Sequence, residues 1–200
     1  VPRIRRKVVH DITLQVHPGE CLGVLGPNGS GKTSMLSVLA GKVAASKGQV
    51  LVGGVGISGS LSQRRLVGVL RQDDYLFEDA TVAEHLLLAA RLGGTPEAAV
   101  SRRSEDLAAQ VRLDGDELVQ PAGSLPAGQR RRLSLAMTLA GNSSVLSLDE
   151  PACGLDPESK RALWFAIKRA KATGVALLLS SHGMDEVEVL SDKVALLDEG

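Results

Sequence analysis

The sequence predicts an α/β fold in which a parallel sheet is covered by helices on both faces, with a helical segment set into it at about residues 76–140. Two observations predict this. Three short, nearly continuous apolar runs, CLGVLG (21–26), VLSLDE (145–150) and VALLLSS (175–181), are each followed by a helical pattern. Strands without polar alternation are what a sheet buried on both sides requires. Between residues 76 and 140 the strand runs lapse and helical periodicity takes over.

Taken in order, the elements read as follows. The alternation in ITLQVHPGE (12–20) predicts an exposed strand that turns at Pro18 and Gly19, and CLGVLG the first buried strand. SMLSVLAG (34–41) predicts a helix closed by Gly41, and QVLVGGV (49–55) with VGVLRQ (67–72) a second strand pair. Thr81 followed by Glu84 forms a capping box ahead of HLLLAARL, and Thr95 with Pro96 opens another helix to about Leu113. VLSLDE and VALLLSS return to strand, separated by a helix that Asp156 and Pro157 start, that carries Trp164 and that ends at Gly174.

The chain has 200 residues, 44% of them hydrophobic, which suits one domain with one core. Its 23 basic and 23 acidic residues balance, so no overall charge steers it to nucleic acid or to an anionic membrane. No apolar run reaches the roughly 18 residues needed to cross a bilayer, and the basic start VPRIRRKVVHD leads into no signal-peptide core. The chain opens without methionine and stops just after a strand-like run, so it reads as a soluble piece cut at both ends from a longer protein. Cys21 and Cys153 lack metal-ligand spacing and read as small apolar packing residues.

GPNGSGKT (26–33) fits the phosphate-loop spacing GxxxxGK[ST] and lies between a predicted strand and a predicted helix. Its glycines allow backbone N–H groups to turn inward on a phosphate. Gly26, Pro27, Asn28, Gly29, Ser30, Gly31, Lys32, Thr33 and the following Ser34 are therefore the candidate nucleotide-binding segment. Lys32 would meet the β and γ phosphates, and the Thr33 hydroxyl would bind Mg²⁺. This predicts a P-loop NTPase without separating GTPase, kinase and ATPase. The carboxyl end of VLSLDE supplies Asp149, suited to hold Mg²⁺ through water, and Glu150, suited to activate the attacking water. His182 follows VALLLSS, and a lone histidine is more often structural than catalytic.

In this order the motifs resemble the ATP-binding cassette (ABC) ATPases over almost the whole chain. GPNGSGKT looks like the family's Walker A loop, Gln72 like its Q-loop glutamine, VLSLDEP like Walker B, GLDP (154–157) like the D-loop, and His182 like the switch histidine. The resemblance implies a RecA-like P-loop core with a small antiparallel β subdomain near the N-terminus and a helical subdomain that bears the signature. It implies ATP and Mg²⁺ as ligands, hydrolysis of ATP to ADP and phosphate, and roles for the residues. Glu150, His182 and Gln72 would serve catalysis; Thr33, Gln72 and Asp149 would hold Mg²⁺; Asp156 would act across a dimer interface. EDATVAEHLLLAARLGG and the stretch from LWFAIKRAKA to the end are similar to subfamily A in particular, which suggests a large membrane protein that moves lipids.

The family pairs two nucleotide-binding domains head to tail, each ATP lying between one P-loop and the partner's signature. That signature usually reads LSGGQ; here Leu125, Pro126, Ala127, Gly128 and Gln129 stand in its place. Pro126 has neither a hydroxyl nor an N–H, so donors to the partner's γ phosphate are missing. The chain's own site keeps its parts, which implies an asymmetric pair whose weaker site is the one LPAGQ completes. The resemblance also places docking of transmembrane domains near Gln72–Phe77, with the chain at the cytoplasmic face of a membrane. The family's aromatic adenine contact has no counterpart before Tyr75, leaving a residue upstream of Val1 or a poorer substitute such as Arg3, Ile4 or a histidine. Arg130, Arg131 and Arg132, without interleaved aromatics, read as a solvated helix face, and no nucleic-acid partner is expected. Two other readings stay open: a regulatory module that closes on ATP with little turnover, and a soluble ABC ATPase of translation or DNA repair.

Overall fold

The computed structural model describes residues 8–57, 60, 63, 65–198 and 200. Arg3 and Ile4, the substitute adenine contacts weighed above, lie outside them.

A five-stranded sheet runs in the order β4 (Val67–Leu70), β5 (Val145–Asp149), β6 (Ala176–Ser181), β1 (Cys21–Leu25), β7 (Lys193–Leu196), with every neighbouring pair parallel. β1, β5 and β6 are largely apolar because both faces are covered, and their period of two divides the core. Cys21, Leu177 and Leu179 face one packed cluster, while Leu22, Val24 and Leu178 face a second one with Leu36 and Leu197. The smaller cluster lies beneath α1 (Lys32–Leu39). In the larger one, leucines of α2 (Val82–Leu92), α3 (Val100–Val111), α4 (Ala127–Leu139) and α5 (Pro157–Ala172), among them Leu86, Leu107, Leu133 and Leu163, pack together and onto the sheet. Each such side chain contributes about 1.5–3 kcal/mol by leaving water. A short α6 (Met184–Leu190) leads into β7.

Local chemistry sets the helix boundaries. Thr81 and Glu84 form the reciprocal capping box of α2, and Asp156 caps α5 by accepting from the Glu158 and Ser159 amides at 3.0 Å each. The helix after Pro96 begins as a short 3₁₀ turn, Glu97–Ala99, and α3 ends at Arg112 in left-handed backbone.

Two expectations need correction. ITLQVHPGE is not a strand: among the described residues no strand pairs with it, and it runs over the surface with Ile12 and Val16 tucked against the smaller cluster. Its turn does form, closed by the Glu20 amide donating to the His17 carbonyl. QVLVGGV and VGVLRQ also do not pair with each other. The Gly53–Gly54 turn, with φ of 56° and 79°, folds β2 (Leu51–Val52) back on β3 (Val55–Gly56) as a small antiparallel hairpin. VGVL instead joins the parallel sheet as β4 beside β5.

Candidate active site

The carboxyl ends of β1, β5 and β6 lie side by side and bring the motifs together. β1 passes into the phosphate loop and α1. The loop takes its shape from main-chain requirements: Gly31 sits at φ 107°, and a Cβ at Gly26 would come within 2.2 Å of the Leu197 carbonyl oxygen beyond β7. Lys32 is buried, and its Nζ donates to the carbonyls of Gly26 at 2.7 Å and Pro27 at 3.0 Å, so its charge is held within the loop. Ser30 Oγ is buried there with no hydrogen-bond partner among the described residues.

Across from the loop, Thr33 Oγ1 donates to Asp149 Oδ1 at 3.3 Å. A hydroxyl and a carboxylate facing each other form an oxygen-only pair, the donor chemistry that Mg²⁺ prefers. These two residues, the unpaired Ser30 hydroxyl and the buried Lys32 fit a nucleotide phosphate chain with its metal ion. Asp149 also accepts from the Ser180 hydroxyl, its register neighbour on β6.

Glu150 is the first residue beyond β5 and stands at φ 45°, a conformation that non-glycine residues rarely adopt. Its amide donates to the Ser180 carbonyl at 3.0 Å, which holds the chain through that bend. Strain of this kind is of order 1–3 kcal/mol and gathers where a side chain must be aimed. The bend sets Glu150 Oε2 3.2 Å from His182 Nδ1. Glu150 is mostly buried while His182 is half exposed, so the pair joins a fixed acid to a ring that opens to solvent. A cavity of about 330 Å³ next to them is lined by Gly26, Pro27, His182 and Leu197.

Gln72 lies two residues beyond β4, on the same edge of the sheet, and is exposed. No hydrogen bond among the described residues joins it to Thr33, Asp149 or Glu150. Tyr75 and Phe77 are each 64% exposed, whereas Leu76 packs on the core; Arg71 lies over the Tyr75 ring at 4.8 Å. Ser34 is half-buried in the first turn of α1.

LPAGQ lies at the start of α4, away from the chain's own phosphate loop in sequence and held by separate contacts. Leu125 is buried and Pro126 is the N-cap residue at φ −56°. Ala127 is exposed, Gly128 is buried against Ser159 of α5, and Gln129 Nε2 donates to Glu117 at 2.6 Å.

Two sequence readings are overturned here. The three arginines are not a solvated face. Arg131 is 4% exposed: it donates to Asp74 at 2.9 Å, to the Pro151 carbonyl at 2.6 Å, and to the carbonyls of Asp149 and Glu150 at 3.3 and 3.4 Å. Arg130 pairs with Glu78, and Arg132 donates to the Val111 carbonyl. The LPAGQ helix is thereby tied to both the segment after Gln72 and the Walker B turn. Nor are both cysteines packing residues. Burial raises the Cys21 thiol to about 11, but Cys153 is exposed beside Glu150. Sequence reasoning misread Arg131 and Cys153 and passed over Asp74 and Ser180. Only Ser180 carried a signal, as one of two polar residues ending an otherwise apolar strand.

This fold and edge-of-sheet geometry define a P-loop ATPase cassette. Residues 9–153 match the family described as ABC transporter, and the chain belongs to that family. It is 41% identical over 197 residues to ABC transporter A family member 12 of Arabidopsis thaliana, covering 98% of this chain and 21% of that protein. It is 37% identical over 197 residues to the phospholipid-transporting ATPase ABCA7 of Homo sapiens, covering 98% of this chain and 9% of that protein. The subfamily A resemblance is thus borne out, and the chain spans about a fifth of the length of the plant relative. A solved ATP-binding subunit of an ABC transporter superposes with a TM-score of 0.86 at 28% identity, over 98% of this chain and 82% of that one. Among the described residues no helix is long and apolar enough to cross a membrane.

Proposed function

We propose that this chain is the ATP-hydrolysing domain of an ABC transporter of subfamily A type, which couples closure of a head-to-tail domain pair to movement of a lipid across a membrane. The observation that carries the hydrolytic part is the meeting of Lys32, the Thr33–Asp149 pair and the Glu150–His182 pair at one sheet edge. Bound Mg²⁺ and ATP supply the phosphoryl chain and the charge that neutralises it. The protein's residues do the rest. The loop amides and Lys32 bind phosphate, Thr33 and Asp149 hold the metal, with Gln72 in reach of the same edge. Glu150 accepts the proton of the attacking water, and His182 steadies the γ phosphate. Asp156 acts across the pair. The exposed Tyr75 and Phe77 form the surface on which transmembrane domains dock, at the cytoplasmic face. The helical segment within residues 76–140 carries LPAGQ to the partner's nucleotide.

The lipid part rests on the subfamily A resemblance and on the relative named as phospholipid-transporting. A regulatory module with little turnover is the second reading, favoured by Pro126 alone. Single-turnover hydrolysis of radiolabelled ATP by the assembled protein separates the two. Glu150→Gln should lower the rate about 10²–10⁴-fold, the usual contribution of a general base, while ATP binding persists. Wild-type protein that leaves ATP intact over many binding events would sink the hydrolytic reading in favour of the regulatory one.

A further inference from the structure

Beside the phosphate site, the described residues hold one mixed cluster of metal-capable side chains. The ligand atoms of Glu150, Cys153 and His182 all lie within 4.8 Å of one another. The three come from two adjacent chain turns. Cys153 follows Glu150 in the turn after β5, where its amide donates to the Glu150 carbonyl at 3.2 Å, and its thiol lies beside the Glu150 carboxylate. His182 is the first residue beyond β6, with Nδ1 3.2 Å from Glu150 Oε2. Cys153 and His182 are both exposed, so an ion reaches them directly from solvent.

We propose that Glu150, Cys153 and His182 form an inhibitory site for a borderline-soft divalent cation, Zn²⁺ above all. A thiolate, an imidazole and a carboxylate together are a zinc donor set, with water completing the tetrahedron. Mg²⁺, which asks for oxygen ligands in octahedral array, gains nothing from sulfur and nitrogen, so the ion used in turnover does not compete here. Zinc–ligand bonds of 2.0–2.3 Å place donors about 3.6 Å apart around a tetrahedron. The cluster therefore closes by about 1 Å, a change that rotation of the two exposed side chains supplies. On binding, the Cys153 thiol releases its proton to water and its sulfur bonds the metal. The Glu150 carboxylate, its charge drawn onto the ion, is then a much weaker base toward the attacking water, and His182 is drawn away from the γ phosphate.

The inhibitory half rests on the hydrolytic roles proposed for Glu150 and His182; the binding half does not. Co²⁺ serves as the probe of binding, because a tetrahedral thiolate site gives it intense visible bands and a sulfur charge-transfer band in the near ultraviolet. Titration of the purified chain without nucleotide should show both. Zn²⁺ should then displace the Co²⁺. Cys153→Ser should abolish the charge-transfer band and weaken binding at least tenfold, while Cys21→Ala keeps the band. In turnover assays with saturating Mg²⁺ and ATP, the Zn²⁺ concentration that halves the rate should rise at least tenfold in Cys153→Ser, each protein being compared with its own metal-free rate. Bands that are missing, or that survive Cys153→Ser, overturn the site. Hydrolysis that proceeds unchanged in Zn²⁺ bound through Cys153 overturns the inhibition. If Co²⁺ binds through Cys153 but no assembly of the protein hydrolyses ATP, the hydrolytic reading falls and the inhibitory half with it.

Discussion

The phosphate loop and the LPAGQ segment are both glycine-bearing turns that open a helix, yet they are held by different forces. The loop is fixed by its main chain. Gly31 is in left-handed backbone, Gly26 lies against the Leu197 carbonyl, and Lys32 bonds loop carbonyls. LPAGQ is fixed by side chains around it: Gln129 on Glu117, Arg130 on Glu78, and Arg131 on Asp74 and the Walker B carbonyls. The first kind of site tolerates few residues at each position. The second tolerates Pro126 and Ala127, because Pro126 adopts a φ of −56°, the ring's own value, while the surrounding ion pairs keep the helix in place. The difference explains how a chain can carry an unaltered GPNGSGKT together with an altered signature and keep one fold.

Arg131 offers the sharpest way to break that contrast. Arg131→Ala leaves the Asp74 carboxylate and three carbonyls without their buried partner, and removing one side of a buried ion pair costs about 3–5 kcal/mol. Chemical denaturation should report a loss of that size. Arg131→Lys should recover less than half of it, since an ammonium cannot span Asp74 and the Pro151 carbonyl as the guanidinium fork does. A loss under about 1 kcal/mol in Arg131→Ala would mean that side-chain wiring does not hold the LPAGQ helix.

Glycines give a second, smaller test. At Gly128 the constraint is space: a Cβ would meet Ser159 Oγ at 2.1 Å and Ser159 Cβ at 2.5 Å, at the contact between α4 and α5. Gly128→Ala should cost about 1–3 kcal/mol by overpacking, and much of that should return when Ser159→Gly makes room. At Gly29 the constraint is backbone: φ is 84° and nothing lies within 4 Å of the missing Cβ. Gly29→Ala should cost about 1–2 kcal/mol, with no second substitution nearby able to relieve it. Equal rescue at both positions would erase the distinction between the two turns.

Much of the sheet was legible in the sequence, because a strand buried on both faces and a capped helix leave local marks. CLGVLG, VLSLDE and VALLLSS became β1, β5 and β6, and the Thr81–Glu84 and Asp156 caps formed as spacing predicts. ITLQVHPGE misled because alternation describes which side chains face inward and says nothing of a pairing partner. Asp149, Glu150 and His182 were nameable from motifs, but their meeting depends on the register of β5 against β6. Arg131 was not legible at all. Its partner Asp74 is 57 residues away, and a charge amid charges on a helix carries no local sign that it is buried.

Pro126→Ser should change stability least, and for that reason it isolates function. The proline caps α4 without a side-chain bond. A serine would add an N-cap hydrogen bond worth about 1 kcal/mol, while the unfolded chain would regain freedom worth about 0.4–1 kcal/mol. These nearly cancel, so the melting curve should shift little. A serine at 126 would however restore both the hydroxyl and the N–H expected toward the partner's γ phosphate, glycine at 127 removing the methyl beside them, and a hydrogen bond to a charged group contributes about 1.5–3 kcal/mol. Pro126→Ser with Ala127→Gly in the assembled full-length protein should therefore tighten ATP-driven closure about tenfold to hundredfold, or raise turnover where closure limits it. Unchanged closure and turnover at unchanged stability would mean that LPAGQ contributes to fold alone, and that the slower of two paired sites must be sought elsewhere.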